Sequence, residues 1–179
     1  MSKKSVEPRT VALVAIMAAV TCVFTLVRLP IPGTRGYVHL GDIAANFAAL
    51  AFGPWVGLLV AGGGMALADI FGGYAFWAPY TFIIHGLQGF VVGYIAFFSR
   101  RRYSLMIVGA VLGEIIMVVG YFLVELWLYG VAPAVTELPW NIAQGLVGLL
   151  GVPLLLMVSR AYPPLFGSGG LRAGGDRDR

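Results

Sequence analysis

Charge is missing from long parts of this chain. From Arg9 to Arg28, Asp42 to Asp69, Asp69 to Arg100, and Leu138 to Ser159, no Asp, Glu, Lys or Arg interrupts the sequence. Each stretch holds about 20 residues of membrane helix. A fifth segment, beyond Arg102 to Tyr129, carries only Glu114 and Glu125. With 59% of 179 residues hydrophobic and 11% charged, the chain lies outside the composition of ordinary soluble domains. An all-α integral membrane protein is expected.

The stretch Asp42 to Asp69 decides how many times the chain crosses. It is too long for one upright span and short for two, and Gly53-Pro54 stands at its middle, a pair that turns or breaks a helix. Read as two helices it gives six spans, at about 10–29, 41–52, 54–71, 79–99, 104–129 and 140–160. Lys3, Lys4, Arg9, Arg100, Arg101, Arg102, Arg160, Arg172, Arg177 and Arg179 then fall on one side and only Arg28 and Arg35 on the other. That asymmetry places both termini in the cytoplasm. Residues 1–9 are expected as a cytoplasmic segment, 10–160 as the six-helix membrane domain, and 161–179, rich in Gly and charge, as a disordered tail. The first apolar segment reads as a retained helix rather than a removable signal peptide. No internal repeat is seen.

The net charge of +4 sits in short flanks that serve topology, which argues against nucleic acid. One cysteine, Cys22, leaves no disulfide within the chain. With His39 and His85 as the only histidines and no HExxH pattern, a histidine-rich metal site is excluded. No phosphate loop occurs and no lysine follows Lys4, so ATP is not handled in that way. Ser99 and Ser159 lie near the cytoplasmic ends, far from His85, which leaves no credible serine nucleophile. The chain is read as a binding protein and not an enzyme, with no cofactor.

The polar residues inside the spans carry the functional reading. His85 and Gln88 are adjacent on one face of the fourth helix, because i and i+3 are helical neighbours. Asn141 and Gln144 repeat that spacing near the outer end of the sixth. Tyr121 and Glu125 stand near the outer end of the fifth, with Glu114 seven residues before Tyr121 and closer to mid-membrane, and Asn46 joins them from the second. Polar groups at that depth are costly unless paired or in contact with a ligand. Trp77, Tyr80 and Trp140 at the same rim offer flat faces for a ring, or form an interfacial belt. Together these residues suit a small-molecule cavity in the outer half of the membrane. Each also has a plainer role: the amides cross-link helices, Glu125 snorkels, and Glu114 makes a structural hydrogen bond.

The loop PIPGTRGYVHLGD, Pro30 to Asp42, has the prolines and glycines of a structured cover. Tyr37, His39 and Asp42 are its candidate gating residues; Asp69 is expected to pair with Arg28 or Arg35. Gly63 and Gly64 in AGGGMA, and Gly89 with Gly93, form small-residue packing surfaces. On the first helix Ala12, Ala15 and Ala19 make a smooth stripe, suited to a partner's membrane helix or to the chain's own helices.

GYVHLGDIAANFAALAFGPWVGLLVAGGGMALADIFGGYAFWAP, TFIIHGLQGFVVGYIA, GYFLVE and PWNIAQGLVG together resemble the substrate-binding S components of energy-coupling factor (ECF) vitamin transporters, over about Arg9 to Arg160. The likeness is to the riboflavin, hydroxymethylpyrimidine or pyridoxine branch. It implies the six-helix S-component fold, a vitamin pocket near the outer face under the first loop, and docking through the alanine stripe. It also implies a transmembrane coupling subunit and two cytoplasmic ATPase subunits, in a bacterial or archaeal cytoplasmic membrane. Lysine is frequent in the family where His85 stands; a largely neutral imidazole there disfavours a strongly anionic substrate. The competing reading is a stand-alone transporter coupled to protons through Glu114.

Overall fold

The computed structural model describes residues 8–162, so the expectations for the first residues and the tail fall mainly outside the described part. The chain runs α1 (Pro8–Leu26), a hairpin of β1 (Arg28–Pro30) and β2 (Tyr37–His39), α2 (Gly41–Phe52), α3 (Pro54–Leu58), a π-helical turn (Leu59–Gly63), α4 (Gly64–Phe71), α5 (Ala78–Phe98), α6 (Tyr103–Tyr129), α7 (Val131–Gly148) and α8 (Gly151–Ala161). Among the described residues, five helical segments are long and apolar enough to cross a membrane: 8–26, 54–71, 78–98, 103–129 and, with α7 and α8 taken together, 131–161. The remaining helix, α2, has 12 residues, about 18 Å, less than the hydrocarbon thickness. It begins beneath the hairpin, where Gly41 and Asp42 are already buried.

Glycine and proline set the joints. Gly53, at φ 95°, lies in the left-handed region between α2 and α3, and Pro54 opens α3, a position where a missing N–H costs nothing. Gly130, at φ 86°, likewise separates α6 from α7. Two boundaries differ from expectation. The first helix stops at Leu26 rather than residue 29, because Arg28–Pro30 pair as a strand with Tyr37–His39. The last begins at Val131 rather than residue 140, with Pro139 inside it; neighbouring helices let a bundle accommodate such a proline.

The two ends of the bundle differ in chemistry. Away from the hairpin the core is apolar: Ala49 and Leu50 of α2 pack with Val92 and Ala96 of α5, Met106 and Ala110 of α6, and Val152 and Leu155 of α8. Near the hairpin the buried side chains are polar, among them Asp42, Asp69, His85, Gln88, Glu125, Glu137 and Gln144.

Close backbone contact holds α3 against α5. A Cβ on Gly89 would collide with the carbonyl of Gly57, and one on Gly93 would lie 2.6 Å from the carbonyl carbon of Gly53, the close approach that small residues permit. By contrast α1 is the least covered span, and Ala12, Ala15 and Ala19 are exposed on it.

The hairpin is fastened to its surroundings. Arg28 Nη2 donates to Gly72 O at 2.8 Å, and its guanidinium lies over the rings of Tyr37 and Tyr74 at 5.1 and 4.9 Å. Asp69 accepts a hydrogen bond from Tyr37 Oη. The expected pairing of Asp69 with Arg28 or Arg35 is thus replaced by a phenol–carboxylate contact, while Arg35 sits 5.7 Å over the Tyr129 ring.

Candidate functional site

One carboxylate organises the polar end. Asp42, in the first turn of α2, is 1% exposed. Its Oδ1 accepts from Gln88 Nε2 of α5 at 3.0 Å, and its Oδ2 from Gln144 Nε2 of α7 at 2.8 Å. With the Gln88 amide nitrogen committed to Asp42, its oxygen accepts from His85 Nδ1 at 2.5 Å; the same nitrogen is 3.3 Å from Asp42 Oδ1. His39 enters from β2: its backbone N–H donates to Gln144 Oε1 at 2.9 Å, and its Nδ1 accepts from Gly41 N–H at 3.1 Å. Burial lowers the pKa of His39 to about 4, against the pull of Asp42. The imidazole is therefore neutral near pH 7 and free to accept.

A second polar contact lies one turn further along α2. Asn46 Nδ2 donates to Glu114 Oε1 at 2.6 Å and to Gly148 O at 3.0 Å. Glu114 thus meets the structural hydrogen bond considered for it.

Between the hairpin and the ends of α5, α6 and α7 lies a cavity. Tyr37 and His39 of the hairpin, Trp77 and Thr81 at the start of α5, Tyr121 and Glu125 of α6, and Glu137, Asn141 and Gln144 of α7 line it, with Asp69 of α4. Thr81 Oγ1 and Tyr121 Oη are 2.9 Å apart. Trp77, 6% exposed, stands with its ring 5.9 Å from Tyr121 and 6.0 Å from Tyr129. The space is about 30 Å³, room for about two water molecules. A vitamin-sized pocket measures some hundreds of Å³, so a ring-shaped molecule does not fit the space as it stands.

Three cavity-lining side chains hold polar atoms without a partner among the described residues: Asp69 Oδ2, Glu125 Oε2 and Asn141 Nδ2. All three residues are buried, at 2%, 1% and 5% exposure. Buried polar atoms are normally satisfied, so these are the atoms left over for something else.

The structure divides the residues singled out from the sequence. Tyr121, Glu125, Asn141, Gln144 and Trp77 face one cavity, joined by Tyr37 and His39. His85 and Gln88, both fully buried, do not line it and instead bind each other and Asp42; Asn46 lies beside Glu114. Asp42 belongs to that network rather than to a gating loop, because the hairpin ends before it and α2 has already begun. Tyr80 packs against Phe76 and Trp77 without lining the cavity, and Trp140 is 44% exposed and turned away. Glu137 was not singled out. It lies four residues before Asn141 and seven before Gln144, hence on their face, a signal usable only if α7 is known to begin before it.

Comparison with known proteins places this geometry among its relatives. A family model described as the S component of the ECF-type riboflavin transporter matches residues 5–161. The chain is 43% identical over 134 residues to an uncharacterized protein of Pyrococcus woesei, covering 74% of this chain and 88% of that one. It is 32% identical over 152 residues to the thiamine precursor transporter HmpT of Lactococcus lactis subsp. cremoris, covering 84% and 86%. Among solved structures, the S component of a bacterial ECF transporter superposes with a TM-score of 0.62 at 20% identity, over 87% of this chain and 98% of the other. The S component for biotin from an ECF-type ABC transporter gives 0.58 at 18% identity, over 93% and 97%. At such identities the structural likeness speaks to the fold.

Proposed function

The chain belongs to the family of ECF-type riboflavin transporter S components, and from that premise we propose that it is the substrate-binding membrane subunit of an ATP-driven importer. Its substrate is a water-soluble heterocyclic vitamin or precursor of the riboflavin, pyridoxine or hydroxymethylpyrimidine class. Its partners are a transmembrane coupling subunit and two cytoplasmic ATPase subunits. It sits in a bacterial or archaeal cytoplasmic membrane with both termini inside and the hairpin outside. The observation that carries the reading is the hairpin-covered cavity, where side chains from four helices bring aromatic faces and unpartnered polar atoms together. Such a mostly closed chamber with a few placed polar groups suits capture of a small ring.

In this reading the hairpin is the cover. Opening it breaks the Gly36 N–H bond to Glu137 Oε1, 3.1 Å long, the His39 N–H bond to Gln144 and the Tyr37 contact with Asp69. At about 1 kcal/mol each, these contacts are weak enough for ligand binding to trade against. Mass spectrometry of molecules retained through mild purification tests the assignment: a heterocyclic vitamin or precursor is expected. Uptake into liposomes by the purified chain alone, driven by a pH gradient, would instead identify a proton-coupled transporter.

Two substitutions separate binding from assembly. Asn141→Ala removes an unpartnered donor from the cavity wall and is expected to raise the Kd of the co-purified ligand about fivefold or more, the scale of one buried hydrogen bond; titration calorimetry reads it. Ala15→Trp projects a bulky ring from the exposed face of α1. It is expected to leave ligand affinity unchanged while abolishing co-purification with the coupling subunit. Normal assembly of that variant would reject α1 as the docking helix.

A further inference from the structure

The cavity wall is acidic in a way that selects among heterocycles. Glu125 of α6 and Glu137 of α7, on adjacent helices, both line this small cavity, and both are at most 4% exposed. Two like charges cannot lie together out of water without a large cost, so the pair holds one proton between them or a cation against them. Asp69 adds a third carboxylate to the same wall. Among the described residues, the one lining side chain with a fixed positive charge is Arg35, whose guanidinium lies over the face of Tyr129. Glu137 is also tied to the hairpin through Gly36, whereas Glu125 Oε2 is free.

This wall asks for a ligand edge that donates. Glu125 Oε2 and Asp69 Oδ2 are acceptors, and Asn141 Nδ2 is the lone unpartnered donor among them. A phosphate ester or other anion would be repelled by Asp69 and by the charge left on the Glu125–Glu137 pair. A ring whose edge carries only carbonyl oxygens would leave the acceptors unanswered. An amino group beside a basic ring nitrogen satisfies both demands, because protonated at that nitrogen it presents two parallel N–H donors to one carboxylate, the fork that makes arginine–carboxylate pairs strong. Where the Glu125–Glu137 pair holds a proton, that proton passes to the ring nitrogen, leaving a cation against two carboxylates with no change in total charge.

We propose that Glu125 and Glu137 are specificity-determining residues and that the cavity selects an amino-substituted, weakly basic heterocycle of the aminopyrimidine type over flavin-like or anionic ligands. This rests on the reading of the chain as a vitamin-binding subunit and narrows it. Asn141 Nδ2 then faces an acceptor elsewhere on the ring or on its substituent.

The test uses the full chain in lipid nanodiscs with four probes: 4-amino-5-hydroxymethyl-2-methylpyrimidine, its 4-oxo analogue, riboflavin and pyridoxine. The amino compound is expected to bind about 100-fold tighter than the oxo analogue, which turns a donor into an acceptor against a built site. Glu125→Gln and Glu137→Gln, nearly isosteric, are expected to shrink that ratio at least about tenfold, with thermal midpoints recorded as the control for folding. Equal binding of the amino and oxo compounds, tight binding of riboflavin or pyridoxine in place of the amino compound, or an unchanged ratio in both variants overturns the proposal and leaves the importer reading standing. If none of the four binds, both fall. Should the variants not fold, the amino-to-oxo ratio of the unaltered protein decides by itself.

Discussion

Asp42→Ala is expected to destabilise the protein by about 3 kcal/mol and to abolish measurable ligand binding. The carboxylate accepts from Gln88 and Gln144 and lies 3.3 Å from His85, so its loss strands two buried amide donors and removes the charge beside the imidazole. A stranded buried donor costs about 1–3 kcal/mol, although hydrogen bonds between membrane helices average nearer 0.6 kcal/mol; about 3 kcal/mol for the set lies between those scales. Binding suffers because Gln144 and His39 position the cavity floor through the same network. Asp42→Asn should fall between, since its amide keeps one acceptor and places a donor against an amide nitrogen. Thermal unfolding in detergent and titration with the co-purified ligand read the two effects. An Asp42→Ala protein as stable as the parent would show that the network is not a unit.

Gly89→Val should be at least as damaging, with no role for the cavity. A Cβ at Gly89 would strike the carbonyl of Gly57 and lie 2.7 Å from its carbon, and backbone cannot rotate aside as a side chain does. Overpacking of this kind costs about 3 kcal/mol or more, a large share of the 5–15 kcal/mol typical of folded chains. Little monodisperse protein is expected on size-exclusion chromatography. Gly63→Ala is the control, because nothing lies within 4 Å of a Cβ there, and it should keep the parent midpoint. A normal Gly89→Val protein would refute the backbone contact between α3 and α5.

The sequence made the spans legible because charge in hydrocarbon is so costly that its absence marks them. Gly53-Pro54 marked the joint between α2 and α3, since one residue takes a positive φ and the other lacks an N–H. The start of α7 was not legible: proline signals a stop in water, and the packing that tolerates Pro139 inside a helix is invisible in one dimension. That single boundary hid Glu137. Asp42 read as a loop residue because its neighbours are glycine, histidine and leucine; only in three dimensions do two amides and an imidazole from α5 and α7 reach it.

From residues alone came the membrane class, the division of the chain into helices and the side of each helix that bears polar groups, because hydropathy and the 3.6-residue period are local properties. Which polar groups touch was settled only by the folded chain. Glycine contacts set how closely α3 and α5 approach, and loop geometry sets the height at which His39, Asp42 and Glu137 arrive. Those distances sum over segments a hundred residues apart, so Trp140 turns outward and Glu137 inward for reasons no local pattern contains.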